Sequence, residues 1–235
     1  PGVPSSQIVR FEKPVHGILR RIAMLEKIQI PSHGTHMDIF LSDGDQAEAL
    51  LFLKQNCMIP KEFVYINIGG SIPQKQWPVD KCISLAKLIL QNTSLAIVLG
   101  GGPEDADRVN SIKKRLDRQR VTSAIHRSLR ANCALIAQAR MLITPDSGPM
   151  HIGFALKVPT IALFWATDSQ GRNRNVLNGP EYCGPIGIEK KLWTILHGDF
   201  TDTKKEGDPE HSPPKPILVS EVWEKILDFL KLKTE

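Results

Sequence analysis

Met141-Leu-Ile-Thr-Pro-Asp-Ser-Gly-Pro-Met-His-Ile-Gly-Phe-Ala-Leu-Lys-Val-Pro-Thr-Ile-Ala-Leu-Phe164 carries the architecture in miniature. Met141 to Thr144 is a short apolar run of strand length. Pro145-Asp-Ser-Gly-Pro149 is a turn of helix-starting residues, with Pro149 suited to the first helical position. A helix is predicted from about Met150 to Leu156, and Pro159 to Phe164 is a second strand. Two strands joined through a helix must run parallel, because a tight turn cannot connect parallel neighbours.

The same rhythm extends toward the N-terminus. Phe63 to Ile68 is a β-rich apolar strand running into Gly69-Gly-Ser71. Pro78 to Gln91 has helical spacing. Leu95 to Leu99 is a buried strand ended by Gly100-Gly-Gly-Pro103, and Glu104 to Arg118 is predicted as a helix with acids early and bases late, the order a helix dipole favours. Leu129 to Ala139 is a further helix. Toward the C-terminus, residues 199–216 are polar and Pro-rich and read as a surface loop, and Val219 to Leu232 is a closing amphipathic helix. The pattern predicts an α/β fold, a Rossmann-like parallel sheet with helices on both faces, over residues 62–235. Ligands of such sheets bind beyond the carboxyl ends of the strands.

Residues 1–61 read as a partial N-terminal segment and linker. Val15 to Ile28 has helical spacing. Ala47 to Lys54 is predicted as a helix capped by Asp43 or Asp45, with a short strand at Ile39-Phe-Leu41 before it. His33 and His36 lie three apart in a loop with no accompanying carboxylate or cysteine motif, so loop histidines outweigh a metal pair.

Composition narrows the class. In 235 residues, 41% are apolar and the net charge is +5, which suits a packed globule and excludes a disordered chain. Residues 101–140 hold nine basic and four acidic side chains. Their basic run, Lys113 to Arg120, reads first as a solvated helix end. No aromatic residues interleave with it, which argues against nucleic acid as a partner. Cys57, Cys82, Cys133 and Cys183 form neither C-x-x-C nor zinc spacing. With no apolar leader at the start and no apolar run of membrane-spanning length, the expectation is a cytoplasmic chain with reduced thiols.

Three loops follow strand ends and therefore face one crevice. At Pro145 to His151 the helix start offers backbone N–H groups and a dipole to a phosphate, with Ser147 and Gly148 small enough for close approach. The alternative is that Asp146 or Ser147 merely caps the helix. At Gly69 to Pro78, a Gly-rich loop followed by Lys75 places a point charge near a pyrophosphate, although the Walker pattern is not met. Trp77 reads as core packing. At Gly100-Gly-Gly-Pro-Glu104, the dinucleotide fingerprint would need glycine where Asp105 stands. Glu104 suits ribose hydroxyls or, equally, a first-turn acid.

These motifs, in this order, resemble glycosyltransferase family 9, the bacterial lipopolysaccharide heptosyltransferases. The likeness runs from about Val64 to Trp165, with a weaker echo at the closing helix. Its strongest part is Asp146-Ser-Gly-Pro-Met-His151 with Ala155-Leu-Lys-Val-Pro159 and a strand ending near Thr167-Asp168. Gly69, Ser71, Lys75, Trp77 and Pro78 resemble the family's G-x-S-x-x-K-x-W-P stretch, and the G-G-P-E turn also occurs there.

The resemblance implies a GT-B arrangement, with residues 62–235 as the nucleotide-sugar-binding domain and residues 1–61 as a remnant of an acceptor-side domain. It implies an ADP-sugar donor, typically ADP-heptose, and no cofactor or metal. Lys75, Ser71, Ser147 and Gly148 would hold the diphosphate, Glu104 the ribose, and Asp146 and His151 would organise the site. The implied reaction inverts the anomeric carbon. The implied acceptor is a hydroxyl of the lipopolysaccharide inner core, reached at the cytoplasmic membrane surface. The family's N-terminal Gly-Asp loop, whose Asp is taken as general base, has no match here. Asp38, Asp43 and Asp45 stand in other contexts, so the base is unassigned. Another nucleotide sugar and a catalytically silent nucleotide-sugar-binding module remain as alternatives.

Overall fold

The computed structural model describes residues 9, 11, 15–70, 75–117, 119–166, 179–199 and 216–231. The elements are α1 (Gly17–Lys27), α2 (Asp43–Gln55), β1 (Phe63–Asn67), α3 (Val79–Asn92), β2 (Ala96–Gly100), α4 (Ala106–Lys114), β3 (Val121–Ser123), α5 (Leu129–Gln138), β4 (Met141–Pro145), α6 (Gly148–Ala155), β5 (Thr160–Ala166), α7 (Pro180–Cys183), β6 (Trp193–Asp199) and α8 (Val219–Lys231). Six strands form one sheet in the order β3-β2-β1-β4-β5-β6. Every neighbouring pair is parallel. The order reverses between β1 and β4, so their carboxyl ends open a crevice there.

Alternation along β1 sorts its side chains to two faces. Val64 and Ile66 pack with Ile83, Ile89, Val109, Ile112, Val222 and Ile226, joining α3, α4 and α8 to one face. Phe63 and Tyr65 pack with Phe52, Leu53, Leu135 and Leu142, joining α2 and α5 to the other. Each fully buried aliphatic or aromatic side chain contributes about 1.5–3 kcal/mol relative to an exposed one. α6 lies close against β4 and β5 because Gly153 has no side chain: a Cβ there would stand 2.6 Å from both Leu142 Cδ2 and Thr160 Oγ1.

Several local expectations are corrected. Ile39 to Leu41 forms no strand, since no described neighbour extends the sheet toward it, and Phe40 is 85% exposed. Helix α2 is capped by Ser42, not Asp43 or Asp45. The Ser42 Oγ accepts from the Asp45 N–H at 3.2 Å, and the Asp45 carboxylate accepts from the Ser42 N–H at 2.8 Å. Asp45 is thus the third helical residue of a capping box. The helix predicted from Glu104 to Arg118 opens as a 3-10 turn, Pro103–Asp105, and α4 ends at Lys114. Arg120 does not extend it. Its guanidinium donates to the carbonyls of Leu90, Thr93 (2.9 Å) and Leu95 (3.4 Å), tying the end of α3 to the start of β2. Strands β3 and β6 were not foreseen. Residues 200–215 of the surface loop expected at 199–216 lie outside the described residues.

Candidate functional site

The crevice at the switch point is a cavity of about 440 Å³, within the usual range of ligand sites. The loops after β1, β2 and β4 all reach it. It is lined by Lys75, Glu104, Asp146, Ser147, Gly148 and His151 among others. Six of the seven residues singled out from sequence therefore meet in one place. The seventh, Ser71, lies outside the described residues, as do Thr167 and Asp168.

The sequence reading missed Asn67, the polar residue that ends the apolar strand β1. Its Nδ2 donates to Gly69 O (3.0 Å), Thr144 Oγ1 (3.1 Å) and Ser147 Oγ (3.1 Å). One carboxamide thus links the loop after β1 to the turn after β4. The Ser147 Oγ also donates to Pro145 O at 3.2 Å. Ser147 is the residue before α6, yet its side chain makes no cap hydrogen bond. The capping alternative therefore fails for Ser147: its hydroxyl belongs to the Asn67 network, and among the described residues no side chain caps the start of α6. A Cβ built on Gly148 would meet nothing within 4 Å, so open space lies beside this helix start.

Asp146 does not cap α6 either. One carboxylate oxygen takes the Lys75 ammonium, and the other lies 3.7 Å from the Cys183 Sγ. Asp146 is 7% exposed. Burial, and next the Asp146 carboxylate, push the Cys183 thiol up to about 12, with Lys75 opposing. The thiol is therefore a protonated donor beside Asp146. Burial holds the His151 imidazole below its ordinary range. Asp146 opposes this, while the charges of His16, Arg21 and Lys75 add to it.

On the opposite wall, Glu104 is exposed at the rim and Asp105 is 2% exposed beneath it. The Asp105 carboxylate accepts from Gly102 N–H at 3.0 Å and from Arg108 at 3.3 Å. Arg108 also donates to Ile68 O (2.9 Å) and Trp77 O (3.0 Å). The residue that breaks the dinucleotide fingerprint thus anchors the two Gly-rich loops to each other. Trp77 is 2% exposed and packs in the core, as the sequence reading expected. The rest of the lining is less polar: Tyr65, Leu129, Asn132, Ile136 and Ile152 contribute to it. The Tyr65 hydroxyl donates to Asn132 Oδ1 at 2.8 Å.

Away from the cavity, His36 Nε2 stands 3.2 Å from Asp38, with both side chains about half exposed. Among the described residues, no group of three or more His, Cys, Asp or Glu is placed to hold a metal ion.

A family model described as glycosyltransferase family 9 (heptosyltransferase) matches residues 6–177. Among curated relatives, a lipopolysaccharide heptosyltransferase 1 of Campylobacter coli is 31% identical over 184 residues, 76% of this chain and 52% of its own length. A lipooligosaccharide heptosyltransferase 2 of Haemophilus influenzae is 28% identical over 174 residues, 71% of this chain and 46% of its own length. The chain therefore spans about half the length of these relatives. Among solved structures, a family 9 glycosyl transferase of Veillonella parvula superposes with a TM-score of 0.71 at 21% identity, covering 95% of this chain and 63% of the other. The Escherichia coli ADP-heptose heptosyltransferase II gives 0.70 at 19% identity, covering 97% and 66%.

Proposed function

The chain belongs to glycosyltransferase family 9, and on that footing we propose that residues 62–235 form a nucleotide-sugar donor domain and residues 1–61 a partial acceptor-side segment and linker. The whole protein of which such a domain is part transfers a heptose from ADP-heptose to the inner core of lipopolysaccharide. The observation that carries this reading is the meeting, at the switch-point cavity, of the Lys75 ammonium with a helix start that no side chain of the described residues caps.

The chemistry follows from charge. The acceptor hydroxyl oxygen bonds to the anomeric carbon as that carbon's bond to the diphosphate oxygen breaks, inverting its configuration. The electron pair leaves with ADP, and the hydroxyl proton passes to a base. Negative charge grows on the departing diphosphate, where Lys75 and the N-terminus of α6 lie ready to meet it. Gly148 leaves room for the phosphate, Ser71 assists from the preceding loop, Glu104 takes the ribose hydroxyls, and Asp146 and His151 set the position of Lys75 and the cavity wall. No cofactor enters this scheme.

The base is not assigned within this chain. Asp38 pairs with His36 and Asp45 with Arg130, and neither they nor Asp43 line the cavity. That observation favours one second reading, a nucleotide-sugar-binding module that does not itself turn over. A lipid-linked acceptor would bring the protein to the membrane surface. No helix of the described residues is long and apolar enough to cross a membrane.

Thermal unfolding with ADP, UDP, GDP and CDP tests the donor site. A ligand at 100 times its Kd stabilises by about 2.7 kcal/mol. ADP is expected to give the largest shift, and Lys75→Ala to abolish it. A larger shift with another nucleotide overturns the ADP donor, and no shift with any of them overturns the site. Transfer to a complete acceptor then separates the enzyme from the silent module.

A further inference from the structure

Arg108 stands in the first turn of α4, behind the cavity lining, yet its guanidinium holds three partners at once. Nη1 donates to Ile68 O at 2.9 Å and to Asp105 Oδ1 at 3.3 Å, and Nη2 donates to Trp77 O at 3.0 Å. Ile68 and Trp77 bracket the stretch of chain that carries Lys75. One planar, rigid fork therefore ties the chain where it leaves β1 to the chain where it approaches α3. A second closure lies inside the first, where Gln76 Nε2 donates to Gly70 O at 3.4 Å. Lys75 is thus held from its backbone side, while its ammonium faces Asp146 and the cavity.

Asp105 carries the same clasp to the opposite wall. Its Oδ2 accepts from Gly102 N–H at 3.0 Å. The carboxylate is 2% exposed and the Arg108 side chain 24% exposed. Gly69 leaves the carboxylate its room, since a Cβ there would stand 2.5 Å from Asp105 Oδ2 and 3.3 Å from Gly101 Cα. The backbone continues the joint, with Ile68 N–H donating to Gly100 O at 3.0 Å. Glu104 directly precedes Asp105. Arg108 and Asp105 together therefore link the stretch bearing Lys75 to the turn bearing Glu104. A buried ion pair is often no more stabilising than well-packed apolar residues of the same volume. What this pair supplies that apolar packing would not is a set of directed bonds to four separate points of the two loops.

We propose that Arg108 and Asp105 are positioning residues that set the span between Lys75 and Glu104 to the length of one nucleoside 5′-diphosphate, and so determine how many phosphates the site rewards. This rests on the donor-site reading above, in which Lys75 meets the diphosphate and Glu104 the ribose. Ribose hydroxyls and the β-phosphate are separated by a fixed run of bonds. Both ends of the ligand are gripped only when the two walls stand at the matching distance, and a misplacement of about 1 Å is costly. Neither residue touches the ligand. Arg108 acts through the placement of Lys75, and Asp105 acts through Arg108 and the Gly102 amide.

The test titrates the full chain with adenosine, AMP and ADP by calorimetry. Wild type is expected to bind ADP at least tenfold more tightly than AMP. Arg108→Lys keeps the charge but cannot span both carbonyls. It is expected to weaken ADP at least fivefold and to change AMP and adenosine less than twofold, so the preference for the diphosphate shrinks. Asp105→Asn is nearly isosteric and keeps an acceptor for the Gly102 N–H. It is expected to shift the same ratio in the same direction by a smaller factor, and it carries the test if Arg108→Lys has a melting temperature too low to titrate. A role in folding alone would weaken all three ligands by one common factor. That outcome overturns the proposal, as does an ADP-to-AMP ratio unchanged in both variants. Wild type that binds ADP no better than adenosine overturns the donor-site reading and this proposal with it, so the two failures are told apart by the wild-type titration.

Discussion

Asn67 and the Lys75–Asp146 pair carry most of what the site requires of single residues. Asn67 is 5% exposed and serves three acceptors. Asn67→Leu leaves those oxygens without their donor, and buried groups left unpaired cost roughly 1–3 kcal/mol. Urea denaturation should show that loss together with weaker ADP binding. Lys75→Met leaves the Asp146 carboxylate without its partner in a nearly buried position, which should destabilise by roughly 1–3 kcal/mol at neutral pH. Lys75→Met/Asp146→Asn should recover most of that stability but not the ADP response. The double-mutant cycle thereby separates what the pair does for folding from what Lys75 does for the ligand.

His151 makes the protein pH-sensitive in a defined direction. Its folded-state pKa lies below the unfolded value, mainly through burial. The unfolded chain therefore takes up a proton first as the pH falls below about 6.5, and stability is lost from there downward through the folded pKa. His151→Gln should flatten that part of the stability profile, measured as denaturation midpoints between pH 7 and pH 5.

Among the elements, α6 offers the cleanest discrimination between a helix cap and a phosphate site. Gly148 is its first residue and faces open space. Gly148→Ala should raise stability by about 0.5–1 kcal/mol, because alanine loses less freedom on folding. If the helix start holds a phosphate, the added methyl should reduce ADP affinity by tenfold or more. A stabilised variant with unchanged ADP binding would point to a purely structural turn. The other end of α6 is strained: Lys157 follows it at φ 55°, a conformation that suits glycine. Lys157→Gly should therefore stabilise by roughly 1 kcal/mol, read by the same denaturation curves. At α2, the capping box with Ser42 is braced by Arg130, whose guanidinium reaches the Asp45 carboxylate and donates to Phe40 O at 3.2 Å. The Arg130 contact and the Ser42 hydrogen bonds hold the Asp45 carboxyl well below the usual carboxylate range.

Over the whole molecule, hydrogen bonding and burial grade outward from the centre of the sheet. β1 and β4 are buried throughout and flanked by strands on both sides. β3 is a three-residue edge strand. Native-state hydrogen exchange should give the slowest amides in β1 and β4 and faster ones in β3, since protection follows burial and pairing. ADP should slow exchange most in the turns after β1 and β4, where the order of strands reverses.

What could be read directly from the chain was whatever depends on near neighbours. Periodicity, glycine-rich turns and Pro149 placed β1, β2, β4, β5, α3, α5, α6 and α8 to within a few residues, because apolar spacing and turn chemistry are local properties. The same turns located Lys75, Glu104, Asp146, Ser147, Gly148 and His151 at strand ends, and parallel topology then required them to share a crevice. Folding settled the rest through contacts between distant segments. β3 is too short, and β6 too mixed in polarity, to stand out without the neighbours that pair with them. Asp45 looked like a cap and became the third residue of a capping box, held by Arg130 from 85 positions away. Asn67 looked like the end of a strand and became the link between two loops. The physical reason is common to all of these: hydrogen bonds and ion pairs join side chains that are near in space, and sequence distance carries almost no information about that.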